Sequence, residues 1–211
     1  MVRLQTTVSD VQEPMLHEFL ATLRERPCSV LASHGAPCCD IARAWFETMA
    51  RSMPPGDAIV AWIPKRWQWG PHTWPLNWCE AVARDTLDCG ALAALAHAAA
   101  TATGQQTWRV QLVEQFDVSA TQNWRVAWNR AGANCDWLHG PYAYHEVIAT
   151  EGDGEFSLWD PTDCRRIDST PRRGYASIAA LRVLEAPEPI RPIRWRSRRL
   201  EPGIWHCPDA H

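Results

Sequence analysis

Cys89 is the residue of this sequence whose position most suggests chemistry. It stands in "DTLDCGALAALAHAAA" (residues 85–100), at the polar start of an alanine and leucine run that predicts a helix from near Asp88 to Gly104. A structural cysteine would be expected inside the apolar run. Only the thiolate attacks, and a helix N-terminus stabilises an anion by about 0.3–1 kcal/mol, less than one pKa unit. Cys89 would therefore need an adjacent imidazolium to react.

A predicted hairpin supplies that imidazole and a carboxylate. The segment "YAYHEVIATEGDGEFSLWDPTD" (142–163) predicts a strand with His145, a Gly-Asp-Gly turn and a strand ending at Asp160. With the turn centred on its Gly-Asp pair, we expect His145 and Asp160 to be direct cross-strand partners, about 5 Å apart at Cβ. Asp160 could then bind one imidazole nitrogen and leave the other for Cys89.

The segments "DCGALAALAHAAATATGQQTWRVQLV", "YHEVIAT" and "LWDPTD" resemble the transglutaminase-like superfamily of papain-like cysteine enzymes over roughly residues 75–163. In that superfamily a Cys opens a helix that leads into a strand, a His lies on a following strand, and an Asp ends the next. The resemblance implies an α+β fold, with the Cys helix packed on an antiparallel sheet that carries the His and the Asp. It also implies a Cys89–His145–Asp160 triad and acyl transfer through a thioester, without cofactor or metal.

The resemblance leaves the substrate open. It is compatible with an amide or thioester on a peptide, a protein or an acyl carrier, and with resolution by water (amidase, peptidase) or by an amine (acyltransferase). The family's aromatic two residues after the His is replaced by Val147, and residues 117–142 look like an insertion. The Arg-Gly-Gly that precedes the Cys in arylamine N-acetyltransferases is absent. The alternative function is a non-catalytic protein-binding module that keeps the fold.

Tryptophan is abundant, with 13 residues, and four of them are clustered just upstream of the candidate nucleophile, between residues 67 and 78. The four are Trp67, Trp69, Trp74 and Trp78. Two interpretations stay open: these rings line a substrate groove, or they cap a core that has few Phe and Tyr. On the first, Trp69, Trp74, Trp78 and Tyr144 are candidate substrate-binding residues, and the Trp78 indole could help the Cys89 backbone N–H stabilise an oxyanion.

Composition narrows the class of protein. The 211 residues fit a single domain, and a net charge of -3 gives no reason to expect a nucleic-acid partner. We find no signal peptide and no membrane span, so we expect a cytoplasmic protein unless a signal-independent route exports it. Lys65 is the only lysine among 21 basic residues, which is typical of a GC-rich bacterial genome.

The eight cysteines include no C-x-x-C pair, and neither residues 38–39 nor 206–207 show a zinc spacing. We therefore expect reduced, mostly inert thiols and no metal site. Each residue of the candidate triad also has a non-functional explanation: a buried Cys89, a structural His145 and an ordinary strand-ending turn at Asp160. The catalytic hypothesis therefore depends on the three residues occurring together in the expected contexts.

Around the candidate core we expect N-terminal helices (9–54), a core of about 75–185 and an Arg-rich tail (186–211). The first helix is predicted over 9–26, with an apolar face of Leu16, Phe19, Leu20 and Leu23 and a cap at Ser9 or Asp10. The second is predicted over 38–53, with Ile41, Trp45 and Met49 as its apolar face. Residues 59–78 predict an ordered loop with short extended pieces. The remaining predicted strands are 106–116 and 123–129, and residues 175–186 fit either a strand or a helix, of which we favour the strand.

Overall fold

A computed structural model describes residues 13–24, 31–33, 35–71, 76–152, 155–163, 165–166, 176–184, 193–195 and 203–205. The chain combines helices with a mainly antiparallel sheet, as the α+β prediction requires. The helices are α1 (Glu13–Arg24), α2 (Pro37–Arg51), a π-helical turn (Ala58–Trp62), α3 (Ile63–Arg66), α4 (Trp78–Ala83), α5 (Cys89–Ala102) and α6 (Val118–Arg130). Within the described ranges, no helix is both long enough and apolar enough to cross a bilayer.

The strands form one large sheet and three small pairs. They are β1 (Leu31–Ala32), β2 (Gln68–Trp69), β3 (Leu76–Asn77), β4 (Thr86–Leu87), β5 (Thr107–Gln115), β6 (Leu138–His139), β7 (Tyr142–Gly152), β8 (Glu155–Asp160), β9 (Arg165–Arg166), β10 (Ala176–Leu184), β11 (Ile193–Trp195) and β12 (Gly203–Trp205). The large sheet has the order β10-β5-β7-β8-β9, with β6 beside β7. The predicted strands over 106–116 and 175–186 and the predicted hairpin over 142–163 are confirmed.

Helix α5 is the central helix of the core and packs against β5 and β7. Eight of its residues are buried, most of them alanines, and the small side chains let the helix approach its neighbours closely. The predicted span is confirmed: Asp88 is the N-cap, and Gly104 follows the helix at φ 75°, a conformation that favours glycine. The packing against β5 and β7 therefore fixes the position of α5 and of its first residue, Cys89.

The N-terminal helix α1 confirms the prediction over 9–26, and Leu16, Phe19 and Leu23 are buried as expected. The candidate caps Ser9 and Asp10 lie outside the described residues.

Helix α2 is present where predicted, but its predicted apolar face is wrong. Ile41 and Trp45 are 68% and 41% exposed, whereas Cys39, Phe46 and Ala50 are buried. The Phe46 ring explains the rotation, because it packs against the rings of Trp62, Trp67 and Trp78. A flat aromatic ring surrounded by three indoles anchors this side of the helix.

Two further predictions are corrected. The predicted strand over 123–129 is part of helix α6, where Trp124 and Trp128 lie one turn apart and both contact the ring of Trp69. Alternation of apolar residues suggested a strand, yet Val126 between them is 49% exposed. The predicted ordered loop over 59–78 contains the π-helical turn and α3, because Pro64 lies in the first turn of α3, where no backbone donor is needed. The short extended pieces expected in the same range are present as β2 and β3.

Candidate active site

Cys89 is the first residue of α5, and local hydrogen bonds fix its backbone. The Asp88 carboxylate accepts a hydrogen bond from the Ala91 backbone N–H at 2.9 Å, which satisfies one of the exposed donors of the first turn. The preceding strand β4 pairs in parallel with β2, and the Gly70 backbone N–H donates to Leu87 O at 2.9 Å. The Cys89 side chain is partly exposed at this junction.

His145 and Asp160 lie on neighbouring strands but not in the predicted register. Strands β7 and β8 pair Ile148 with Trp159, so one further step places Asp160 opposite Val147. The prediction of a direct His145–Asp160 pair is wrong by two positions, since the strands turn later than the centre of the Gly-Asp-Gly sequence. A shift of two keeps the same side of a sheet, so the two side chains are diagonal neighbours.

The diagonal arrangement brings the two groups into contact. His145 Nε2 lies 3.0 Å from Asp160 Oδ2, and the residues are 9% and 2% exposed, respectively. The other carboxylate oxygen, Oδ1, accepts hydrogen bonds from the backbone N–H and the hydroxyl of Thr162, at 2.9 and 2.6 Å. Thr162 therefore holds the carboxylate in the orientation that meets the imidazole. Sequence reasoning missed it, although Asp-Pro-Thr is a typical turn that bonds an Asp side chain to the backbone two residues on.

The Cys89 thiol and the His145 imidazole also share a hydrogen bond. Because Nε2 faces Asp160, Nδ1 is the nitrogen left for the thiol. The structure thus brings together the three predicted residues Cys89, His145 and Asp160, in the order sulfur, imidazole, carboxylate.

The three groups shift one another's pKa values. Burial lowers the pKa of His145, but the Asp160 and Glu114 carboxylates outweigh burial and raise it well above its ordinary value. Burial also raises the pKa of Asp160, yet the imidazole and the two bonds from Thr162 bring it below the usual range. Burial raises the pKa of the Cys89 thiol, and the hydrogen bond and charge of His145 oppose that rise. A thiolate at Cys89 is therefore favourable only beside a protonated His145.

Glu114 is a second residue that the sequence analysis missed. It lies on β5 opposite Ala143, and β5 pairs Leu112 with His145, so Glu114 is on the same side of the sheet as His145 and one diagonal away. It is 3% exposed. The available signal was a glutamate directly after the apolar pair Leu112 and Val113 of a predicted strand, since buried acids rarely occur without a partner.

The candidate substrate-binding aromatics separate into different environments. Trp69 is half-buried in a cluster with Trp124, Trp128 and Trp137, which we call the four-tryptophan cluster. Trp78 is 8% exposed and belongs to the core beside Phe46. Tyr144 is buried, and its hydroxyl donates to a Glu146 carboxylate oxygen. Trp74 lies outside the described residues.

A cavity of about 490 Å³ lies apart from Cys89 and His145. It is bounded by α2, α5 and β5, and its charged and aromatic lining includes Arg43, Glu47, Arg51, Trp78, His97 and Arg109. The Trp78 ring that the sequence assigned to the substrate borders this cavity. His97, which lines this cavity, contacts the Thr107 hydroxyl through Nδ1 at 3.0 Å.

Comparison with known proteins identifies no relative: no protein-family model, curated protein or solved structure matches the chain.

Proposed function

We propose that the protein is a cysteine-dependent acyl-transfer enzyme with a transglutaminase-like core, in which Cys89 is the nucleophile, His145 the general base and acid, and Asp160 its orienting carboxylate. The observation that carries the proposal is the contact of His145 Nε2 with Asp160 Oδ2 at 3.0 Å, which directs Nδ1 to the Cys89 thiol. A thiol, an imidazole and a carboxylate in this order form the arrangement that a proton shuttle requires.

The first half of the proposed reaction forms a thioester. The Cys89 thiol gives its proton to His145 Nδ1, and the thiolate attacks the carbonyl carbon of an amide or thioester. The tetrahedral intermediate collapses with loss of an amine or a thiol, which takes the proton back from His145. The Cys89 backbone N–H, in the first turn of α5, is the proposed donor to the oxyanion, because the N-terminus of a helix stabilises developing negative charge.

The second half returns the enzyme to its starting state. His145 removes a proton from water or from an acceptor amine, which attacks the thioester, and the Cys89 sulfur leaves and is reprotonated by His145. Asp160 stays ionised throughout, since its pKa is held below the usual range by the imidazole and Thr162. It keeps Nε2 protonated and stabilises the imidazolium that forms after each proton transfer.

The four-tryptophan cluster is the proposed binding surface for the substrate. Trp69 ends strand β2, whose partner strand β4 ends one residue before Asp88. A half-buried indole on that strand is therefore tied through backbone hydrogen bonds to the segment that leads into Cys89. We propose that the acyl portion of the substrate packs on this aromatic surface, which would also restrict the access of water to the thioester.

The test is the Cys89→Ala variant against a panel of peptide amides and acyl-carrier thioesters, with each reaction followed by intact-protein mass. We expect wild type to gain the acyl mass and Cys89→Ala to lose turnover by at least about 10⁴-fold. Cys135→Ala is the control, because Cys135 is a second free thiol, buried and bonded to Asn129 and main-chain oxygens. Turnover that survives in Cys89→Ala, or an acyl group that maps to another residue, contradicts the proposal.

A further inference from the structure

A second group of cysteines lies on helices α2 and α4, away from His145. Cys38 and Cys39 are in the first turn of α2, and Cys79 is in the first turn of α4, about 40 residues later in the chain. The Cys38 and Cys79 sulfurs are 3.4 Å apart, and the Cys39 and Cys79 sulfurs are 3.6 Å apart. All three sulfurs lie within 4.8 Å of one another. We call these residues the three-thiol cluster.

We propose that the three-thiol cluster is a binding site for a thiophilic closed-shell metal ion, Zn²⁺ or Cu(I). Three sulfurs that each bond an ion at about 2.3 Å are separated by roughly 4 Å from one another, a spacing close to the one found here. Thiolate ligands select Zn²⁺ and Cu(I) over the harder divalent ions. Each thiol gives its proton to the solvent as a metal–sulfur bond forms, and no oxidation state changes.

The chemical surroundings favour a cation over simple packing. A negative charge on any one of the three sulfurs is opposed by the other two, because the sulfurs lie within 4.8 Å of one another and two thiolates at that distance repel. A metal ion removes that opposition for all three sulfurs at once. The helix dipole of α2 also favours negative charge at Cys38 and Cys39.

The exposure of Cys38 and the burial of Cys39 are also compatible with a metal site. Cys39 is 1% exposed and anchored in the core, whereas Cys38 is exposed and leaves an approach for the ion and for a water ligand. A bound ion would join the start of α2 to the start of α4. Helix α4 precedes strand β4 and the Asp88 cap, so the link would brace the segment that leads into Cys89. The proposal does not depend on the acyl-transfer activity.

The experiment uses the reduced full-length chain and titrates it without oxygen, in one arm with Co²⁺ followed by Zn²⁺ and in the other with Cu(I) held by a colorimetric chelator. We expect one equivalent to bind, with thiolate-to-cobalt charge-transfer absorption in the first arm. Cys38→Ser is the main variant because its side chain is exposed and its replacement is tolerated. We expect it to weaken binding by about tenfold or more, since even changes behind a ligand cost 10–100-fold.

Cys79→Ser is the second variant and should lose the charge-transfer band, while the control Cys89→Ser should keep both band and affinity. Thermal unfolding supplies an independent measure, because an ion that binds only the folded chain should raise the unfolding temperature of wild type more than that of Cys38→Ser. Binding in Cys38→Ser and Cys79→Ser that equals wild type overturns the proposal, as does no binding in wild type. A Cys38–Cys79 or Cys39–Cys79 disulfide in the untreated protein also overturns it.

Discussion

The candidate active-site thiol and the three-thiol cluster occupy similar positions at the starts of helices, but their sulfurs have different neighbours. Cys89 opens α5, and Cys38 and Cys39 lie in the first turn of α2, so both places have the favourable end of a helix dipole. Only Cys89 has an imidazole against its sulfur, and His145 opposes the rise that burial causes in its pKa. Cys79 has thiols instead, and its pKa rises to about 11.

This difference shows which physical term decides what a cysteine can do. The helix terminus contributes less than one pKa unit, so it cannot by itself produce a reactive thiolate. A neighbouring cation can, and under the two proposals the regions would obtain one in different ways. At Cys89 the cation would be the His145 imidazolium, which the Asp160 carboxylate stabilises. In the three-thiol cluster it would be a metal ion. The predictions below alter one partner at a time.

The largest effect is expected on removal of the buried carboxylate. Asp160→Ala leaves the His145 imidazolium without its partner, and we expect the free energy of unfolding to fall by about 3–5 kcal/mol. Urea unfolding of wild type and variant measures the difference, and Asp163→Ala, an exposed residue of the same turn, is the control.

The same loss should depend on pH in a defined way. Asp160 has a lowered pKa, so its contribution is present above the unfolded value of about 4 and disappears as pH falls through the folded value. His145 has a raised pKa, so its contribution is complete below about 6.5 and disappears as pH rises through the folded value. The destabilisation should be greatest between about pH 4 and 6.5. An equal loss at all pH values would count against a charged pair.

A smaller effect is expected when Cys89 is made to resemble the cluster thiols. His145→Ala removes the hydrogen bond and charge that lower the Cys89 pKa, so that pKa should rise further. Each unit of rise reduces the thiolate fraction near neutral pH about tenfold, and the higher nucleophilicity of a more basic thiolate offsets only part of that loss, so alkylation should slow. Peptide mass spectrometry after timed treatment with iodoacetamide gives the rate, with exposed Cys38 in the same sample as internal reference. An unchanged alkylation rate of Cys89 would show that His145 does not influence the thiol.

The smallest effect concerns the helix start itself. Asp88→Ala removes the side chain that caps α5 and should cost about 1 kcal/mol of stability, whereas Asp88→Asn keeps a cap and should cost little. Both variants remove a negative charge that raises the Cys89 pKa, so both should alkylate slightly faster than wild type near neutral pH. Chemical unfolding and the same alkylation assay separate the two roles, and slower alkylation in Asp88→Asn would refute the electrostatic one.

Much of the candidate site could be predicted because it depends on local patterns. A few adjacent residues determine each of three features: the cap at Asp88, the glycine that ends α5 and the hairpin around Gly152. Even the wrong register left His145 and Asp160 on the same side, since only the parity of a strand shift decides the side. Local sequence therefore specified which groups meet, although not which backbone positions pair.

Other features could not be predicted because they depend on distant partners. The buried side of α2 is set by three indoles around Phe46, and α6 is a helix whose Trp124 and Trp128 pack on Trp69, some 55 residues earlier. The three-thiol cluster joins residues about 40 positions apart without a recognisable spacing. Such contacts arise only when the tertiary fold brings separate segments together.

The alanine surface of α5 has an evolutionary consequence. Ala91, Ala93, Ala96 and Ala99 are fully buried, so a larger side chain at any of them would push the helix axis outward and carry the Cys89 sulfur with it. A displacement of about 1 Å can reduce catalysis about a hundredfold. Under the proposed function, selection should therefore preserve these methyl groups as strictly as the reacting residues, although no substrate would ever reach them.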